Sequence, residues 1–300
     1  MSDTRWCKSG SAPSTGQDRT GQDTPRSRCR TKRRRSTMAI RDVDIGDASL
    51  RVESQGDGPP VVMHPSLGRW SRDFDSLAAA IVKAGFNAFS IDPRGIGESS
   101  APLEVTTLQS CADDVLAVIG ALGLQSVHLI GHAFGNRVMR QVASNRHDLV
   151  RSIVLLGAGG RVHGDQEART AVGRCFELDL PDVERLQAVE TAFFAPGNDP
   201  RVWTDGWFPI AKDAQQQALV GADPTQWWLG GIAPMLIVQG LQDRAAPPEN
   251  GRQLQRKRVA PTELVEINGA GHALLPEQPD IIATNVASFL RRVERAGEGL

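Results

Sequence analysis

From residue 40 onward, short uninterrupted apolar runs alternate with longer stretches in which apolar residues recur every three or four positions. The runs are Val61-Val62-Met63, Val127-His128-Leu129-Ile130, Ile153-Val154-Leu155-Leu156 and Met235-Leu236-Ile237-Val238. Continuous rather than alternating hydrophobicity marks a strand covered by helices on both faces, so these segments predict a mostly parallel α/β sheet. Ile40 to Ile45 and Ala48 to Glu53 predict an antiparallel hairpin ahead of it, and Glu263 to Ile267 a late strand. The clearest helix starts near Thr107, places Leu108, Cys111, Ala112, Val115, Val118, Ile119 and Leu122 on one face, and stops at Gly123. Cys111 lies in that stripe and reads as core filler. A last helix carries Ile282, Val286, Phe289, Leu290 and Val293 on one side.

The strand pattern breaks from about 161 to 230. Eight of the fifteen aromatic residues fall there, among them Trp203 and Trp207. A mostly helical cap over an apolar pocket accounts for that density, and packing of the insert onto the sheet accounts for most of the individual rings.

Composition adds one asymmetry. Residues 1–37 hold ten Lys+Arg against three Asp, a net of plus 7, which leaves 24 basic against 32 acidic side chains in 38–300, a net of minus 8. The first segment has Trp6 as its only large apolar side chain after the initiator and ends in Lys32-Arg33-Arg34-Arg35, so it reads as a disordered basic leader. Met38, where the patterned sequence begins, is an alternative start. The domains expected are therefore 1–37, a leader, and 38–300, one folded domain. The basic run has no aromatic or structured accompaniment, so nucleic acid is not an expected partner. No secretory signal and no apolar run of membrane-spanning length is present, and the four cysteines have no metal spacing. A reduced, cytoplasmic protein without metal follows as the expectation.

The candidate chemistry sits at strand ends. The strand ending at Ile130 runs into Gly131-His132-Ala133-Phe134-Gly135 and then a helix, the strand, tight turn and helix setting of a G-x-S-x-G nucleophile elbow. Both glycines are present, and position 133 is alanine. Gly240-Leu241-Gln242-Asp243-Arg244 puts a carboxylate after the next core strand, and Gly269-Ala270-Gly271-His272 puts a histidine in the loop after the last one. His64-Pro65-Ser66-Leu67-Gly68-Arg69 follows the Val61 to Met63 strand.

Together with Asp92-Pro93-Arg94-Gly95-Ile96-Gly97-Glu98-Ser99, these motifs resemble the α/β-hydrolase superfamily, in its branch of small esterase- and lactonase-like proteins, over residues 40 to 295. The resemblance implies a central sheet with helices on both faces, a helical cap and no cofactor. It implies a catalytic set of His272, Asp243 and the nucleophile position Ala133, with oxyanion donors from Ser66, Leu67 and Phe134. His132, Trp203 and Trp207 are the expected substrate contacts, and Asp92 is expected to brace its loop. Two residues depart from the family pattern: Pro65 stands where a glycine usually follows the loop histidine, and Ala133 stands at the nucleophile.

A methyl group cannot attack a carbonyl, which leaves three readings. An engineered Ser→Ala change would abolish covalent turnover and keep binding. A natural alanine would leave His272, oriented by Asp243, as a general base acting on water. A catalytically silent small-molecule binder is the third. The chain carries no affinity tag and keeps its polar leader, which favours a natural alanine. Ser66 and His132 are poorly placed as substitute nucleophiles. The substrate class expected is an uncharged, largely apolar ester or lactone; oligomeric state is not encoded in any of these patterns.

Overall fold

The computed structural model describes residues 38–104 and 106–297. The leader expected over 1–37 lies outside the described residues. An eight-stranded sheet forms the centre, built from β1 (Ala39–Asp44), β2 (Ser49–Gln55), β3 (Pro60–His64), β4 (Asn87–Ile91), β5 (Val127–His132), β6 (Val150–Leu156), β7 (Met235–Gly240) and β8 (Thr262–Ile267). The spatial order is β1-β2-β4-β3-β5-β6-β7-β8. β1 and β2 pair antiparallel, β2 meets β4 antiparallel, and all later pairs are parallel. This is the α/β-hydrolase fold, and the expected runs all fall in strands. β4, which the sequence pattern did not mark, lies between β2 and β3.

The strand burial explains the sequence pattern. Every residue of β5 and of β7 is buried, as continuous apolar runs require, whereas the outer β1 is mostly exposed. On one face pack α2 (Leu108–Ala121) and α3 (Phe134–Asn145), through residues such as Val115, Ile119, Val138 and Val142. On the other pack α1 (Asp75–Lys83) and α8 (Pro279–Gly297), through Leu77, Ile81, Ile282, Val286 and Phe289. α2 starts where its sequence puts it: Thr107 Oγ1 accepts from Ser110 N–H at 3.0 Å while Ser110 Oγ accepts from Thr107 N–H at 2.8 Å, a reciprocal cap. Cys111 is buried in the stripe, and burial pushes its thiol up to about 12.

Between β6 and β7 the chain is helical: α4 (Gln166–Cys175), α5 (Asp182–Phe193), a 3-10 turn at Pro200–Trp203, α6 (Pro209–Gln217) and the single turn α7 (Pro224–Trp227). Its own small core gathers Cys175, Phe176, Val189, Phe193, Phe194, Trp203 and Trp207. A guanidinium from the loop after β3 enters that core. Arg69 lies 4.4 Å from the ring centroids of both Trp203 and Trp207, grips Asp73 with two bonds of 2.9 and 2.7 Å, and donates to the Asp205 carbonyl at 2.7 Å. Both charged side chains are 4% exposed or less, so neither has water as an alternative partner.

Removing one partner of such a pair leaves an uncompensated buried charge. Arg69→Met is expected to lower the unfolding free energy by about 3–5 kcal/mol in urea titration. A loss below about 1 kcal/mol would mean that the pair does not clamp the insert to the β3 loop.

Candidate active site

β5 delivers the chain into a turn too tight for ordinary side chains on either side. A Cβ on Gly131 would sit 2.5 Å from the Asn136 backbone, and one on Gly135 would sit 2.2 Å from the His64 carbonyl oxygen. Between them Ala133 has φ 49° and ψ −106°, a conformation that costs a residue with a side chain about 1–3 kcal/mol. Its N–H donates to the Leu156 carbonyl at 2.9 Å, so the turn is pinned to β6 as well. Strain concentrated at one position, with glycines clearing space on both sides, is the backbone geometry expected where a side chain is to be presented at the sheet's edge.

Asp243 and His272, 29 residues apart in sequence, meet across the ends of β7 and β8. His272 Nδ1 lies 2.8 Å from Asp243 Oδ2. Asp243 also accepts from Ala246 N–H at 2.7 Å and from Gln239 Nε2 at 3.1 Å. A carboxylate held by three donors is fixed in place, and because it can only accept, the proton on the imidazole sits at Nδ1. Nε2 is then the basic nitrogen. The ring stacks on Phe193, with centroids 5.8 Å apart, and lies against Gly157, where a Cβ would come within 3.3 Å.

The loop that carries His272 is secured by a residue the sequence did not single out. Glu277, 8% exposed, accepts from the N–H groups of Gly271 and Leu274 at 2.9 and 2.8 Å. The same carboxylate accepts from Ala195 N–H at 2.7 Å and Asn198 Nδ2 at 2.8 Å, both from the insert. Asp92, for its part, accepts from Ser71 N–H at 2.6 Å, and its carbonyl receives Ser99 Oγ at 2.8 Å.

A cleft of about 200 Å³ opens above these strand ends, and Ala133 and His272 both line it. Ser66, Leu67 and Phe134 line it too, so the positions expected to supply oxyanion donors share the cavity with the histidine. The apolar wall comes from Phe176, Phe193, Val172 and Leu219. Trp203 and Trp207 are buried in the insert's core around Arg69, one layer behind that wall. His132 is fully buried: its Nε2 donates to the His272 carbonyl at 2.8 Å, and its Nδ1 has no hydrogen-bond partner among the described residues. These three expected contacts therefore support the lining rather than belong to it. Arg137, one turn along α3 from Ala133, does line the cleft, and the helical period had concealed it as an ordinary polar position. Among the described residues no group of three or more His, Cys, Asp or Glu could hold a metal ion, and no helix is long and apolar enough to cross a membrane.

Known proteins share this fold. A family model described as the alpha/beta hydrolase fold matches residues 59–193. The chain is 25% identical over 268 residues to 2-(acetamidomethylene)succinate hydrolase of Mesorhizobium japonicum, covering 83% of this chain and 94% of that protein. It is 26% identical over 260 residues to a non-heme haloperoxidase of Rhodococcus erythropolis, covering 78% and 93%. A solved esterase from Exiguobacterium antarcticum superposes with a TM-score of 0.71 at 19% identity, covering 85% of this chain and all of that one.

Three buried imidazoles, His64 and His132 near the site and His128 near the start of β5, set the protein's response to acid. Burial holds His64 and His128 down to about 4 and His132 to about 3, the last also by repulsion from His272. The folded values lie below the ordinary 6.5, so the unfolded chain binds more protons and stability falls as pH drops through 6.5. Each histidine contributes up to about 2 kcal/mol of loss by pH 5, at about 1.4 kcal/mol per unit. The urea midpoint is expected to fall between pH 7.5 and 5, and His128→Gln to shrink the fall. An unchanged midpoint across that range would contradict the neutral, buried state of these rings.

Proposed function

We propose that this chain, a member of the α/β-hydrolase superfamily, hydrolyses small esters or lactones by general-base attack of water, without a covalent enzyme intermediate. His272 Nε2 removes a proton from water as the oxygen bonds to the substrate carbonyl carbon. Asp243 keeps the imidazole in the required tautomer and stabilises its charge, and the N–H groups of Leu67 and Phe134, with Ser66 beside them, receive the developing oxyanion. Collapse of the tetrahedral intermediate breaks the carbon–oxygen bond, and the leaving alkoxide recovers the proton from His272. Asp243 and Glu277 act through the histidine and are positioning residues.

The observation that carries this reading is the 2.8 Å contact between His272 and Asp243 at a cleft whose floor is Ala133. The methyl of Ala133 leaves open the volume a hydroxymethyl group would take, next to a base with a free nitrogen. The apolar wall of Phe176, Phe193, Val172 and Leu219 suits the acyl body of such a substrate. Among the described residues the two cysteines, Cys111 and Cys175, are buried and free, in keeping with a reduced, cytoplasmic setting. Loss of the covalent route has a bounded cost: in serine proteases, roughly 10³ to 10⁴-fold acceleration over water survives removal of a triad member. Ala133 also favours a second reading, a silent binder of the same compounds.

One assay separates the two. Hydrolysis of a panel of aryl and alkyl esters and lactones is measured for the protein and for its His272→Ala, Asp243→Asn and Ala133→Ser variants. Turnover by the unchanged protein that falls at least about 100-fold in His272→Ala is expected. Turnover that survives loss of His272 would sink general-base hydrolysis, and activity confined to Ala133→Ser would establish the binder.

A further inference from the structure

Among the described residues, Arg137 is the one Lys or Arg that lines the candidate cleft, and it has no counter-charge. Among the described residues it makes no hydrogen bond and no ion pair; its guanidinium lies 5.6 Å from the centroid of Trp227. The surroundings sharpen the point. Arg140, fully buried one turn further along α3, donates to the carbonyls of Asn136, Trp228 and Gly159 and to the Asn136 amide oxygen at 2.6 Å. Arg258 donates to the carbonyls of Leu229, Gly230, Gly231 and Ala233 and to Thr262 Oγ1. Every one of those acceptors is neutral. Many other guanidiniums meet carboxylates, as in Arg69 with Asp73, Arg94 with Asp114 and Arg244 with Asp165. A domain with a net charge of minus 8 thus keeps Arg137 in its cleft without a carboxylate partner, beside the fully buried Arg140.

We propose that Arg137 binds a free carboxylate at the far end of the ligand, so that the compound taken is an anionic acyl species such as the monoester of a dicarboxylic acid. This departs from the expectation of an uncharged substrate: the body is apolar, but one end is charged. The spacing fits. A Cβ on Gly159 would lie 3.4 Å from the Arg137 guanidinium, and one on Gly157 would lie 3.3 Å from the His272 ring. Those two glycines are two residues apart, at most ~7 Å between Cα atoms. A short chain of methylenes therefore reaches from an ester carbonyl beside His272 to a carboxylate at Arg137. Phe176, Phe193 and Val172 flank the path. The identity of the reacting end rests on the hydrolase reading; the binding of the charged end does not.

The test is calorimetric binding of monomethyl glutarate, adipate and pimelate against their dimethyl esters, with turnover recorded in parallel. The monoesters are expected to bind at least about ten-fold tighter than the diesters, the gain of a charge-assisted pair. Arg137→Met should remove the preference, Arg137→Lys should keep part of it, and added salt should weaken monoester binding alone. Equal affinity of the wild-type protein for both series, or no binding by any monoester, overturns the anchor and needs no variant to fold. Turnover of both series without preference removes the anchor and leaves hydrolysis standing. Selective binding without turnover removes hydrolysis and leaves the anchor.

Discussion

The close approach of α3 to the end of β3 is the constraint from which the rest of the site follows. At Gly135 the helix comes so near the His64 and Pro65 carbonyls that a single methyl group would not fit, and at Gly131 the outgoing strand meets its own returning helix at similar range. Crowding on both sides forces Ala133 into a positive φ. Once that turn is set, the β3 loop with Ser66 and Leu67, the first turn of α3 with Phe134, and the strand ends that hold Asp243 and His272 converge on one cavity.

What converges there is the Asp243–His272 pair and a turn with Ala133 at its apex. In the proposed reading Asp243 and His272 form an acid–base pair at a strained turn, while the residue at its apex, Ala133, carries only a methyl group. The backbone strain remains whether or not a hydroxyl is present. The carboxylate of Asp243, held by three donors, likewise keeps the imidazole tautomer independent of what stands opposite Nε2. Such a scaffold can deliver a proton-accepting nitrogen to any small molecule lodged beside it, water included.

Much of this was legible in the sequence because it depends on local backbone chemistry. Glycines two residues either side of a turn, a carboxylate after a buried strand and a histidine in a Gly-rich loop are short-range signals, and their order along the chain is itself informative. The remainder depends on contacts between distant segments. β4 is short and interrupted by Ser90, so Ala88, Phe89 and Ile91 left no run to detect. The aromatic density of the insert indicated burial but not which surface each ring would face, and Trp203 and Trp207 turned inward around Arg69 while Phe176 and Phe193 met the cleft. Arg137 sits on an amphipathic helix where a solvated arginine would look the same. Glu277 is a lone acid in sequence, and its role exists only through the backbone groups that surround it.

Glu277 also bears on how a ligand gets in. The insert is bonded to the histidine loop through that carboxylate and through Ala273 N–H, which donates to the Phe193 carbonyl at 2.8 Å. It is bonded to the β3 loop through Gln215, which accepts from Gly68 N–H at 2.8 Å, and through Phe208 N–H, which donates to the Gly68 carbonyl. Both loops that hold reactive groups are thus fastened to the roof above them. Swinging that roof aside would move the His272 loop and the β3 loop together. Gln216, exposed, and Leu219, half-exposed, belong to this roof where it lines the cleft, so the roof's own helix carries part of the cleft's open side.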